Sequence, residues 1–187
     1  MTKQEIRTVY KSKRQQLSAE SIENFSISML HIFRKVNLTG KRHVLSYAPI
    51  KGHNEFNVRL CDPVIIAQSA GIALPRIDPV TLSMEALEYN SNSELIQNSL
   101  GIEEPSGGTV LAPEVVDVVL VPLLAFDPKG YRVGYGKGYY DRYLFRCRPD
   151  VLKIGFSFFE PVDSIDDISL FDVPLNYSIT PMRLYEF

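Results

Sequence analysis

Residues 115–126, VVDVVLVPLLAF, constrain the fold of this chain more than any other segment. The run is almost unbroken β-branched and apolar sequence. A strand covered on both faces is the element that uses it, and strands of that kind lie at the centre of parallel sheets. A second strand is expected at HVLSYA before Pro49, a helical stretch from GHNEFNVRL through Ile65 and Ile66 to Gly71, and a short strand at IALP. Strand, helix and strand in that order predict a right-handed βαβ unit.

The rest of the chain supplies covering layers. Ile6, Val9 and Tyr10 share one face of a first helix, while Lys3, Arg7, Lys11 and Arg14 stack as a stripe of four cations along one side. Ser18 is placed to cap a second helix, with Ile22, Phe25, Met29, Phe33 and Val36 as its core face and Gly40 as its stop. TLSMEALEY reads as strand, and 90–108 reads as loop with short pieces of structure. A helix is expected from about Gly138 to Phe145, a strand at LKIGFSF and a closing strand near Tyr177 to Thr180. The expected class is α/β, a three-layer α/β/α sandwich on a mainly parallel sheet, with residues 1–187 forming one domain.

Charge excludes some functions and points to another. The 20 Lys and Arg nearly balance the 22 Asp and Glu, which is not the global excess of a protein that coats nucleic acid. Yet residues 1–42 hold nine basic residues against three acids, and 129–153 hold seven against two. Cys61 and Cys147 are too few for a disulfide framework, the N-terminus has no apolar core of a signal peptide, and no run is long enough to span a membrane. These features favour a cytoplasmic protein with neither membrane nor nucleic acid as partner.

Chemistry is expected where the buried strand ends in AFDPKGYRVGYGKGYYDRYL. Gly130, Gly134, Gly136 and Gly138 let the backbone turn and approach a ligand, so that successive N–H groups can hold an anion. Arg132 and Lys137 add charge, and Asp141 adds a hard oxygen ligand for magnesium beside phosphates. Neither standard nucleotide motif fits. A Walker A sequence needs Ser or Thr after GxxxxGK, but Gly138 follows Lys137 and Tyr131 stands where the first glycine belongs; the glycines read GxGxG rather than GxGxxG.

The run LVPLLAFDPKGYRVGYGKGYYDRYL resembles the signature of the 5-formyltetrahydrofolate cyclo-ligase (5,10-methenyltetrahydrofolate synthetase) family, with Val133 in place of the usual Leu. Lys3 and Arg7, YAPI ahead of Glu55, GIEEP before the central strand and FDVPLNYSITP near the end match in the same order. The resemblance implies a fold similar to sugar-phosphate isomerases and CoA transferases. It implies ATP-dependent cyclisation of 5-formyltetrahydrofolate to 5,10-methenyltetrahydrofolate, in which the formyl oxygen takes the γ-phosphate and the anilino nitrogen then displaces phosphate. Such phosphoryl transfer is mostly positioning and charge stabilisation, which suits a site of glycines, cations and carboxylates.

Carried onto these positions, the resemblance places Lys3, Arg7 and the run Arg132, Val133, Gly134, Tyr135, Gly136, Lys137, Gly138, Tyr139 and Tyr140 around ATP. It places magnesium on Asp141 and Asp172, and folate against Ile50, Glu55 and the loop from Tyr135 to Tyr139. Arg132, Lys137 and Tyr139 are assigned to the reaction itself. Lys11 or Arg14 is a candidate receiver for an anionic polyglutamate tail, and a monomer is expected. Asn57 and Asn176 stand where family members usually carry acids, and HNEF lengthens or shifts the loop before Glu55. His31, His43 and His53 are widely separated and lack ligand spacing; His53 is read as a surface-loop residue, with contact to the site beside Glu55 as the alternative, and IDDIS at 165–169 as a solvated loop. Asp127 either forms a turn before Pro128, orients Arg132 or sits near the metal. Two rival functions stand beside this one: a paralogue with the same ATP site and another formylated substrate, and a non-catalytic nucleotide-binding module.

Overall fold

Parity divides the buried run between two cores. In the computed structural model, which describes residues 1–68 and 70–187, strand β7 (Val118–Pro122) sends Val118 and Leu120 into one apolar cluster and Val119 and Val121 into another. Successive strand side chains point to opposite faces, so a strand with a helical layer on each side must be apolar at every position. Pro122 ends the strand, and the run resumes as the short β8 (Ala125–Phe126).

Beside β7 lies β1 (His43–Leu45), pairing Val44 with Val118 and Leu45 with Val119 in parallel. The expected βαβ unit is present: β1 pairs in parallel with β2 (Gly71–Asp78), His43 opposite Gly71. Its connection differs from the expected continuous helix. Asn57 accepts from the Arg59 N–H to start a 3-10 turn over Val58–Cys61. The α-helix, numbered α3 after two earlier ones, covers only Asp62–Ala67, opened by Pro63 where a missing N–H costs nothing. β2 outruns IALP because β3 (Ser83–Tyr89) pairs with its whole length in antiparallel register, Pro75 lying opposite Ala86 beyond the end of β1.

The main sheet has the order β12-β11-β10-β7-β1-β2-β3-β6, completed by β6 (Val110–Leu111), β10 (Leu152–Phe156), β11 (Tyr177–Ile179) and β12 (Leu184–Glu186). The central five strands from β11 to β2 are parallel; β12, β3 and β6 are antiparallel edges. Residues 90–108 contribute a small separate pair, β4 (Leu95–Gln97) with β5 (Glu103–Pro105).

One face is covered by α2 (Ala19–Phe33), whose Met29 and Phe33 pack with Phe156 and Ile179. Ser18 caps it as expected, but the helix stops at Phe33, well before Gly40. The other face is covered by α4 (Tyr139–Leu144), with Tyr143 and Leu144 against Val119 and Val121. First in the chain, α1 (Lys3–Gln15) begins with a Thr2–Glu5 capping box and buries Ile6 and Tyr10, leaving Val9 exposed. It packs on the hairpin of β8 with β9 (Arg132–Val133), so the basic helix lies directly beside the glycine loop. Among the described residues no helix is long and apolar enough to cross a membrane.

Candidate active site

From β1 the chain moves to β2 on one side, and from β7 to β10 on the other. A doubly wound sheet leaves a crevice at such a reversal, outside the carboxyl ends of the strands. Here that crevice is a cavity of about 590 Å³ floored by Tyr47 and Ala48 after β1 and by Pro122 at the end of β7. Five cations, Lys3, Arg7, Lys11, Arg132 and Lys137, line it against three carboxylates, Glu55, Asp141 and Asp172. The surplus of positive charge inside a concave wall favours an anionic guest.

The glycine loop forms one wall. Gly134, Tyr135, Gly136, Lys137, Gly138, Tyr139, Tyr140 and Asp141 all border the cavity. The N–H groups of Tyr135 to Gly138 meet no acceptor among the described residues, which leaves them free to cradle an oxyanion. Because α4 has only six residues, its dipole adds little; loop N–H groups and side-chain cations make this wall. Gly136 has φ +92°, and a Cβ there would stand 3.1 Å from Arg7 Nε. That close approach lets Arg7 donate to the Gly134 carbonyl at 3.0 Å, fastening α1 to the loop.

Val133 departs from its assignment. Its side chain is fully buried with Ile6 and Tyr10 and does not border the cavity, because strand alternation turns it away when Arg132 faces the cleft. Arg132 is also more occupied than a mobile phosphate cation would be. Its guanidinium donates to Asp141 Oδ1 at 2.9 Å and to the Val173 carbonyl, and Asp141 also accepts from the Val173 N–H at 3.2 Å. Lys137 is exposed and free of any carboxylate partner among the described residues.

Opposite the glycine loop, Glu55 is held by its neighbours. Ile50 N–H donates to Oε2 at 2.6 Å and the Tyr135 hydroxyl to Oε1 at 2.5 Å, while Arg14 stands 3.7 Å from Oε1. Burial, together with the negative charge of Glu55, pushes the Tyr135 and Tyr140 phenols up, so both remain protonated donors at neutral pH. Positive φ at Gly52 and Asn54 folds the lengthened loop back so that His53 also borders the cavity, 5.5 Å from the Tyr135 ring. His53 is thus an exposed loop residue that also borders the cleft. Arg14 is buried and does not stand at the mouth, which removes it as a receiver of an anionic tail; Lys11 is exposed there, over Tyr135.

Asp172 accepts from Lys3 Nζ and from the Ser169 N–H. The 165–169 segment is not merely solvated: Ile165 is buried and Asp167 accepts the Lys3 N–H at 2.7 Å, docking the start of α1. Asn176 lies outside the cavity, where its side chain accepts the Lys153 N–H between β10 and β11; Asn57 is the cap of the 3-10 turn. Asn57 and Asn176 thus both hold structural positions. Asp127 forms a turn, accepting from Lys129 and Tyr131. The apolar wall of Ile77, Met84, Leu100 and Ile102 carried no signal in the sequence, since a β-hairpin edge and a polar loop supply it.

A three-layer α/β protein whose switch-point cleft sets a cationic loop against an apolar wall is built for a flat, polyanionic small molecule. Comparison with known proteins gives that class a particular member. The 5-formyltetrahydrofolate cyclo-ligase family matches residues 1–174, and the chain belongs to that family. The Escherichia coli K12 protein named 5-formyltetrahydrofolate cyclo-ligase is 32% identical over 124 residues, spanning 62% of this chain and 66% of that protein. The Haemophilus influenzae protein of the same name is 27% identical over 181 residues, spanning 91% and 96%. The solution structure of Aquifex aeolicus 5,10-methenyltetrahydrofolate synthetase has a TM-score of 0.84 at 30% identity, covering 100% of this chain and 93% of that one.

Proposed function

We propose that this chain is an ATP-dependent ligase that cyclises 5-formyltetrahydrofolate to 5,10-methenyltetrahydrofolate, releasing ADP and phosphate. The observation that carries the reading is the facing of two unlike walls in one cleft. Lys3, Arg7, Lys137 and the free N–H groups of the glycine loop suit a triphosphate, and Glu55 with Ile50 and Tyr135 suits a pterin.

The formyl oxygen attacks the γ-phosphorus as the bond to the β-phosphate oxygen breaks. The anilino nitrogen then bonds to the activated carbon and loses its proton, and the carbon–oxygen bond breaks to release phosphate. A formamide oxygen cannot leave unaided; as phosphate it can. Lys137 and Arg7 stabilise charge on the transferring group, and the loop N–H groups orient it. Tyr139, on the same wall, positions the transferring group.

Asp141 and Asp172 both border the cleft, and each pairs through one oxygen with a cation, Arg132 Nη2 on Asp141 Oδ1 and Lys3 Nζ on Asp172 Oδ2. No cluster of three or more ligand residues exists among the described residues. That donor set fits magnesium in its usual nucleotide mode, one or two carboxylates with phosphates and water completing the shell. Magnesium would neutralise charge on the phosphates. The chain works as a monomer, since one chain supplies every group of the cleft. Lys11 at the mouth suits the anionic tail of a folate polyglutamate, and the two free cysteines suit the reducing cytoplasm.

Incubation with 5-formyltetrahydrofolate, ATP and magnesium should produce the near-ultraviolet absorbance of the methenyl product. ATP binding without that product would show a nucleotide-binding module instead.

A further inference from the structure

The cation stripe on α1 divides its work along its length. Lys3 and Arg7 meet Asp172 and the glycine loop, but Arg14 is sunk behind the opposite wall and does not border the cavity. Its side chain is 7% exposed and that of Glu55 is 4% exposed, so water does little to screen this pair. Arg14 Nη2 donates to the Tyr135 hydroxyl, Nη1 donates to the Leu123 carbonyl at 3.3 Å, and the Arg14 carbonyl accepts from Asn54 Nδ2 at 3.1 Å. One guanidinium thereby ties together α1, the end of β7, the loop that carries Glu55 and the glycine loop.

We infer that Arg14 is a positioning residue for substrate recognition, acting through Glu55 and Tyr135 on the folate and not on ATP. The inference rests on the proposed reaction and assigns a role within it. A carboxylate has about four lone-pair sites. Those of Glu55 are taken on one side by Ile50 N–H, Tyr135 and the Arg14 charge. Glu55 also borders the cleft, where a pterin would present N–H donors. Without Arg14 the carboxylate keeps its neighbours but loses its buried countercharge, and the Tyr135 hydroxyl loses the donor that holds it toward Glu55. Lysine cannot replace it fully, because one ammonium does not span the Leu123 carbonyl, Tyr135 and Glu55 as a planar fork does.

The test is a double-mutant cycle of Arg14→Met and Glu55→Gln, reading KM for 5-formyltetrahydrofolate and for ATP separately, with a thermal melt of each variant. Arg14→Met should raise the folate KM about tenfold or more and leave the ATP KM within about twofold. In the Glu55→Gln background it should add little, because two residues acting through one contact are not additive. A folate KM unchanged by Arg14→Met, or an effect that multiplies in full upon Glu55→Gln, overturns the inference. If Arg14→Met does not fold, Arg14→Lys replaces it in the same cycle, with a smaller expected rise. Wild-type protein that makes no methenyl product overturns the proposed reaction, and the cycle is then read by equilibrium binding of 5-formyltetrahydrofolate; no coupling there overturns the inference as well.

Discussion

Lys3 and Asp172 lie 169 residues apart in the chain, yet the Lys3 ammonium donates to the Asp172 carboxylate at the rim of the cleft. The pair couples the first helix to the segment after β10. In the proposed reaction a phosphate would take Lys3 while a metal took Asp172, so binding would redirect a contact that already exists and leave neither charge bare. Lys3→Ala is expected to raise the KM for ATP about tenfold with little change in the folate KM. Asp172→Asn is expected to raise the magnesium concentration at half-maximal rate. Steady-state kinetics at varied ATP and magnesium check both.

Arg132 and Lys137 should separate, although the sequence places both in one cationic loop. Lys137 is exposed and carries no ion pair among the described residues, so Lys137→Ala should lower kcat about a hundredfold with an unchanged melting temperature. Arg132 is 9% exposed and bridges Asp141 to the Val173 carbonyl. Asp141 keeps 29% of its side chain exposed, so no buried charge is stranded; the lost charge-assisted hydrogen bonds cost about 1.5–3 kcal/mol, and Arg132→Ala should also lower the melting temperature by roughly 5 °C. An Arg132→Ala protein as stable as wild type would contradict the structural role.

Gly136→Ala should damage nucleotide binding without removing any charged group. Alanine at φ +92° is strained by about 1–2 kcal/mol, and its Cβ would meet Arg7 Nε at 3.1 Å, displacing that guanidinium from the Gly134 carbonyl. A weaker ATP affinity in titration calorimetry, with folate affinity retained, is the expected result.

The thiols predict the direction of alkaline instability. Burial, the leading cause, pushes Cys147 from an ordinary 9.0 up to about 11, and burial pushes Cys61 higher still. A group whose pKa is raised by folding contributes stability that is whole below its unfolded pKa and is lost as pH rises through the folded one. Melting temperature should therefore fall between about pH 9 and 11, and less so in Cys147→Ser. At pH 8 both thiols should react slowly with iodoacetamide in the native state and quickly in denaturant.

The α/β class was legible because period and composition report burial directly. VVDVVLVPLLAF could be placed at the centre of a sheet without knowing its neighbours, and the Ser18 cap and the parallel pairing of β1 with β2 followed from local pattern. Lengths were less legible. β2 extends past IALP because β3 happens to pair along it, and α2 stops at Phe33 for reasons that Gly40 does not announce.

For the site, the residue types in GYRVGYGKGYYD already placed glycines, cations and a carboxylate together at the end of a buried strand. Spacing along α1 determined that four cations share one face. Tertiary structure decided which of those charges are available. It left Lys137 exposed, committed Arg132 to Asp141, brought Lys3 to Asp172, and buried Arg14 against Glu55 and Tyr135. Sequence specifies how many charges a segment carries and which face they take. Whether each meets water, a ligand or an opposite charge depends on segments up to 169 residues away that only folding brings within hydrogen-bond distance.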